Sequence, residues 1–176
     1  MKEITLVIGG CKSGKSRHAL ELAEGYGLRK IFMATCIPMD DEMKDRVARH
    51  KAERDGLWRT LDVPTELPEA IAEYGKDGNV ILVDCLTLWI TNLLMGPATT
   101  DSVTARVEAL VSALAQATCP VVLVSNEVGA GIVPENRLAR QFRDEAGIAN
   151  QKVAAAVDRV VWMVAGIANV VKGRGL

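Results

Sequence analysis

The chain has 176 residues, of which 49% are hydrophobic and 24% charged, and a formal net charge of −1. That size predicts one globular domain over residues 1–176 with a sizeable core. The charge balance supplies no broad basic field for nucleic acid or an anionic membrane surface. The opening "MKEITLVIGG" turns glycine-rich too soon for a secretory signal, and no apolar run reaches the roughly 18 residues of a membrane span. A cytoplasmic protein is expected. Cys11, Cys36, Cys85 and Cys119 show no CxxC pairing, and there are only two histidines. Neither a disulfide framework nor a zinc site is expected from that spacing.

Taken in chain order, short β-rich runs alternate with helical patterns. "EITLVIG" (Glu3–Gly9) reads as a strand, followed by a helix from about Lys15 to Tyr26. "KIFMAT" (Lys30–Thr35) is the next strand, and "DDEMKDRVARHKAER" (Asp40–Arg54) reads as a helix with acids first and bases last, as the helix dipole favours. "LWRTLDVP" is a brief extended piece, and "TELPEAIAEY" predicts a short helix capped by Thr65. "NVILVD" (Asn79–Asp84) and "PVVLVSNE" (Pro120–Glu127) are apolar throughout, as strands buried on both faces must be. Helices are predicted over Leu86–Leu94, Asp101–Ala117, Pro134–Ala146 and Asn150–Val157, with "MGPATTDS" (Met95–Ser102) as a surface loop. "RVVWMVAG" (Arg159–Gly166) and "ANVVKG" close the sheet. The alternation predicts an α/β three-layer sandwich on a mainly parallel sheet.

Gly9-Gly10-Cys11-Lys12-Ser13-Gly14-Lys15-Ser16 fits GxxxxGK[ST] between a strand and a helix, the context that confirms a phosphate-binding P-loop. Glycines let backbone N–H groups turn inward around a phosphate, and the helix N-terminus adds positive potential. Lys15 is predicted to reach the β- and γ-phosphates, and the Ser16 hydroxyl to ligate Mg2+. The metal also needs an acid. Asp84 ends a buried strand, where α/β folds place ligand groups, and is favoured as the second metal residue. Glu127 ends its own apolar run in the same way and remains the rival, with an unsettled role.

The histidines are less clear. His18 lies three residues past Lys15, and a structural role and a contact near the phosphates are both open. Met43, Val47 and His50 are spaced by four and three, so they share one face of the predicted helix. On spacing alone, a histidine in such a stripe is more often a packed core residue than a catalyst.

Longer strings carry a resemblance. "GGCKSGKSRHALELAE", "MATCIPMDDEMKDRVARHKAER", "WRTLD", "VDCLTLWITNLL" and "VSNEVGAGIVPENRLARQFRDEAGIANQKVAAAVDRV" together span nearly the whole chain. In them the sequence resembles the bifunctional adenosylcobinamide kinase/adenosylcobinamide-phosphate guanylyltransferases of cobalamin biosynthesis. The resemblance implies a RecA-like P-loop NTPase fold and two reactions. In the first, the aminopropanol hydroxyl of adenosylcobinamide is phosphorylated with a nucleoside triphosphate, ATP or GTP. In the second, GMP passes from GTP to adenosylcobinamide phosphate through a GMP-histidine intermediate, with release of pyrophosphate. The matching histidine here is His50.

Carried over by position, the nucleotide contacts would be Gly9 to Ser16, Met33, Ala34, Thr35, Lys51, Ala52, Glu53, Arg54, Asp62 and Asp84. The family commonly has glutamate where this chain has Asp62, and serine or alanine where it has Cys36. The shorter Asp62 is expected to loosen a guanine or ribose contact. The resemblance also implies a homo-oligomer, described as a trimer; in "LTLWITNLLMG", Trp89 and Leu93 face either a neighbour or their own core. Two other readings stand beside it: a single-activity P-loop kinase on a small metabolite, with His50 in the core, and a RecA-like nucleotide-dependent switch.

Overall fold

The apolar runs become the inner strands of one seven-stranded sheet. A computed structural model describes residues 2–38, 41, 56–96 and 102–173. Its strands are β1 (Ile4–Gly9), β2 (Arg29–Ala34), β3 (Trp58–Asp62), β4 (Asn79–Asp84), β5 (Val121–Asn126), β6 (Arg159–Val164) and β7 (Ile167–Lys172). Among the described residues the helices are α1 (Lys15–Gly25), α2 (Leu67–Tyr74), α3 (Leu86–Met95), α4 (Val103–Gln116) and α5 (Arg137–Ala156). The order across the sheet is β3-β2-β4-β5-β1-β6-β7. All neighbours are parallel except β6 and β7, which form an antiparallel hairpin. The predicted α/β fold class holds.

Burial explains the sequence pattern. β4 and β5 are buried at every position but their last, so both faces must be apolar. One face packs Val7, Leu82, Val122 and Val124 against Ala19 and Ala23 of α1. The small alanines let α1 approach the sheet closely. The other face packs Leu6, Ile81, Val83 and Leu123 under Ile71, Trp89, Leu110 and Val153 of the remaining helices. Three layers result. Truncating a fully buried leucine such as Leu123 to alanine would cost about 2–5 kcal/mol.

Several local expectations change. The two helices predicted over 134–157 are one 20-residue helix, α5. Gly147 costs a helix about 1 kcal/mol relative to alanine, but Ala146, Ala149, Asn150 and Val153 bury one continuous face, and packing outweighs that penalty. The cap of α2 is Glu66 rather than Thr65. The Thr65 carbonyl instead accepts from the Trp89 indole at 2.8 Å and from Arg106 at 3.1 Å. Helix α4 starts two residues late, where the Ser102 hydroxyl accepts from the Ala105 N–H. Trp89 and Leu93 belong to the core of their own chain. The cysteines among the described residues are free. No helix there is long and apolar enough to cross a membrane. The predicted helix over Asp40–Arg54, with His50, Lys51, Ala52, Glu53 and Arg54, lies outside the described residues except for Asp41.

Candidate nucleotide site

Strands β1, β5 and β4 are adjacent and parallel, so their carboxyl ends open on one edge of the sheet. Gly9 ends β1, and a Cβ there would stand 2.6 Å from both the Met163 carbonyl and the Ser13 Oγ. Only glycine fits so close to the β6 backbone. Gly14, at φ +93°, turns the chain into α1 in a conformation that L side chains rarely adopt. Lys12 also has a positive φ of 52°, within the same tight loop.

Between those turns, Gly10 and Ser13 face each other through a Ser13 N–H to Gly10 carbonyl bond of 3.3 Å. Lys15 is buried, and its Nζ donates to the Gly10 carbonyl at 2.9 Å. The ammonium is therefore folded back over the loop. Ser16 follows in the first helical turn, partly exposed, while Cys11 and Lys12 stand exposed at the rim.

Asp84 ends β4 on the same face as Val80 and Leu82, the face covered by α1. Next to it, the Cys85 thiol is pushed up to about 11, chiefly by burial and then by the charge of Asp84, while Lys15 opposes the shift. Asp84 stands in register with Val124 of β5, and β5 pairs in parallel with β1, whose carboxyl end leads through the loop to Lys15, so Asp84 and Lys15 lie at the same end of the sheet. Cys85 stays a neutral thiol near pH 7 and is no nucleophile.

Met33, Ala34 and Thr35 lie at the end of β2. The Met33 and Thr35 side chains are fully buried, so their surroundings are protein. Thr35 Oγ1 donates to the Cys85 carbonyl and accepts from the Cys85 N–H, both at 2.8 Å. Asp62, exposed at the tip of β3, stands in register with Ala34, which in turn stands in register with Asp84.

Glu127 lies just past β5. Its N–H donates to the Gly9 carbonyl at 3.0 Å, tying the loop to the phosphate-binding strand. Its carboxylate accepts from the Gly129 N–H at 2.5 Å, folded onto its own loop. His18 is partly buried, with its Nε2 buried and unpartnered among the described residues. Burial lowers its pKa, with Glu21 opposing and Arg159 adding, so the ring is neutral near pH 7.

A polar chain missed in the sequence reading crosses this edge. Asn126 Nδ2 donates to Thr87 Oγ1 at 2.7 Å, and Thr87 Oγ1 lies 3.1 Å from the Cys85 Sγ. Asn150 Nδ2 donates to the Asn126 carbonyl at 3.2 Å, and Ser125 Oγ donates to Asn150 Oδ1 at 2.6 Å. Asn126, in register with Gly9, sits between the phosphate loop and Asp84. Its signal was visible: Ser125 and Asn126 are polar residues ending a doubly buried strand, where only a satisfied network makes them tolerable.

The sheet, the glycine loop, Lys15 and the strand-end Asp84 define a P-loop NTPase of the RecA-like class. Solved structures with that shape include the flagellar accessory protein FlaH from Methanocaldococcus jannaschii, with TM-score 0.55 and 13% identity over 98% of this chain and 79% of that one. A second solved structure, an ATPase domain, matches with TM-score 0.53 and 14% identity over 92% and 69% of the two chains. At such identities the likeness is one of fold alone.

The sequence carries the assignment further. Residues 5–171 match the family model described as cobinamide kinase / cobinamide phosphate guanyltransferase, and the chain belongs to that family of enzymes. It is 42% identical over 173 residues to the bifunctional adenosylcobalamin biosynthesis protein CobP of Pseudomonas aeruginosa, covering 97% of this chain and 98% of that protein. The corresponding CobU protein of Escherichia coli is 41% identical over 174 residues, covering 92% and 96%.

Proposed function

We propose that this chain uses the described edge to phosphorylate adenosylcobinamide with ATP or GTP, and then to convert adenosylcobinamide phosphate to adenosylcobinamide-GDP. Membership of the kinase and guanyltransferase family supports both halves. The observation that carries the reading is that Lys15, folded onto the loop at Gly10, and Asp84, at the tip of β4, lie at one end of the parallel sheet.

Ser16 and Asp84 offer hard oxygen donors, which suit Mg2+. Two protein oxygens are what that ion takes when phosphates and water complete its shell. When bound, Mg2+ neutralises charge on the phosphoryl oxygens. Lys15 and the loop N–H groups supply the remaining stabilisation as charge shifts to the leaving oxygen.

In the transfer reaction, a neutral His50 nitrogen attacks the α-phosphorus of GTP. The N–P bond forms as the bond to the bridging oxygen breaks, and pyrophosphate leaves. A phosphate oxygen of adenosylcobinamide phosphate then attacks the same phosphorus, the N–P bond breaks, and the imidazole is restored. Asp62 and residues 51–54 belong to the nucleotide contacts in this reading. The protein acts in the cytoplasm as a homo-oligomer, a trimer by its resemblance. The exposed apolar residues Trp162, Val164, Ile167 and Val171 on the β6–β7 hairpin favour such an assembly.

The test is incubation with α-labelled GTP and Mg2+, followed by denaturation and peptide mass spectrometry. GMP should be found on His50, and His50→Ala should bind nucleotide yet carry no label. A labelled His50→Ala chain would reject the histidine. A wild-type chain that carries no label but phosphorylates a small metabolite would indicate a plain kinase.

A further inference from the structure

The β6–β7 turn lies against the phosphate loop. Ala165 and Gly166 both have positive φ, 51° and 84°, as the two central residues of a type I′ hairpin require. The Gly166 N–H donates to the Ser13 carbonyl at 3.0 Å. A Cβ on Gly14 would stand 3.3 Å from the Gly166 Cα and 3.7 Å from the Met163 Cε, so loop and hairpin are in close contact.

A trans peptide is planar, and its C=O and N–H point in opposite directions. The carbonyl of Ser13 and the N–H of Gly14 belong to one such unit. Holding the carbonyl against Gly166 turns the Gly14 N–H away from the hairpin. Gly14 lacks the Cβ that would restrict that orientation on its own side. Beside the Ser13 N–H to Gly10 carbonyl bond within the loop, the Gly166 N–H is a restraint on this peptide from outside it.

We propose that the β6–β7 turn is a clamp on the Ser13–Gly14 peptide, and that Gly166 is a positioning residue for phosphate binding in both reactions. It touches no reacting atom. It acts by keeping one cradle N–H aimed at a phosphoryl oxygen before the nucleotide arrives, so that no reorganisation is required on binding. The closing hairpin, which looks like a mere sheet edge, thereby serves the opposite end of the chain.

The test rests on the reading that the loop holds a polyphosphate. One glycine inserted between Ala165 and Gly166 gives a three-residue turn, a common hairpin connection that preserves the flanking strands while moving the N–H away from Ser13. Ala165→Asn makes the turn Asn-Gly and leaves the clamp in place. Dissociation constants are measured for Mg2+·GTP and for inorganic tripolyphosphate, with melting temperature in parallel. The insertion should weaken both ligands by roughly tenfold, the scale of one charge-assisted hydrogen bond, while the fold stays intact. Ala165→Asn should bind both as the unaltered chain does. An insertion variant that binds both ligands with full affinity overturns the clamp. Should the insertion unfold the protein, hydrogen exchange of the Gly166 amide in the unaltered chain decides. Tripolyphosphate should slow it, and unchanged exchange overturns the proposal. Failure of the unaltered chain to bind either ligand would instead strike the polyphosphate reading itself, and the clamp with it.

Discussion

Asp62 and Asp84 stand in register on either side of Ala34, one at the tip of edge strand β3 and one at the tip of inner strand β4. Two strand spacings separate their backbones, about 10 Å. They point to the same face, the one that α1 and the phosphate loop cover. One strand, β2, separates the two residues.

That spacing yields the first prediction. Asp84→Asn should lower both activities about a hundredfold at saturating nucleotide, because it removes the carboxylate proposed above to hold Mg2+. Asp62→Asn should raise the KM for GTP while kcat holds, since a rim interaction that stabilises ground and transition states equally governs binding alone. Steady-state kinetics of the two variants, measured side by side, would contradict this assignment if their effects were exchanged.

Lys15→Ala should impair phosphorylation and GMP transfer together. Its ammonium lies across the loop at Gly10 and serves whatever polyphosphate enters there. The fold should persist, because Lys15 sits in the first turn of α1 rather than under it. Loss of one activity alone, with the other intact, would mean two separate nucleotide sites.

Thiol chemistry offers a direct map of the edge. Cys85 and Cys119 are buried, and burial pushes both thiols up to about 11. Cys11 is exposed on the phosphate loop. At about pH 8, iodoacetamide should modify Cys11 and spare Cys85 and Cys119 in the native protein. Mg2+·GTP should slow the Cys11 reaction. Peptide mass spectrometry showing fast modification of Cys85, or no protection of Cys11, would contradict the described burial or the placement of the nucleotide.

His18 makes stability depend on pH. Its pKa is lowered in the fold, mainly by burial, from the ordinary 6.5. The unfolded chain takes up the proton near that value, whereas the folded chain does so only at lower pH. The stabilisation is therefore complete above 6.5 and is lost as pH falls through 6.5 toward the folded pKa. Urea midpoints at about pH 7.5 and about pH 5.5 should diverge more for the unaltered protein than for His18→Gln. Parallel shifts in the two proteins would mean that the pH dependence arises elsewhere than at His18.

Much of this was legible in one dimension, because local chemistry demands particular residues at particular spacings. A glycine-rich turn ending in Gly14-Lys15-Ser16 has one physical use between a strand and a helix. Runs such as "NVILVD" and "PVVLVSNE" announce strands buried on both sides, and so a parallel sheet with Asp84 at a carboxyl end. What these patterns do not contain is adjacency. The order β3-β2-β4-β5-β1-β6-β7, which seats Asn126 between Gly9 and Asp84, follows from packing among distant segments. So does the reciprocal bonding of Thr35 with Cys85, fifty residues apart in sequence. The fusion of two predicted helices into α5 came from a shared buried face, and the approach of Gly166 to Ser13 joins residues whose sequence neighbourhoods say nothing of each other. Local propensity writes the elements and the motif. Only burial of two faces of one sheet decides which elements meet, because hydrophobic free energy is gained on contact and carries no record of position along the chain.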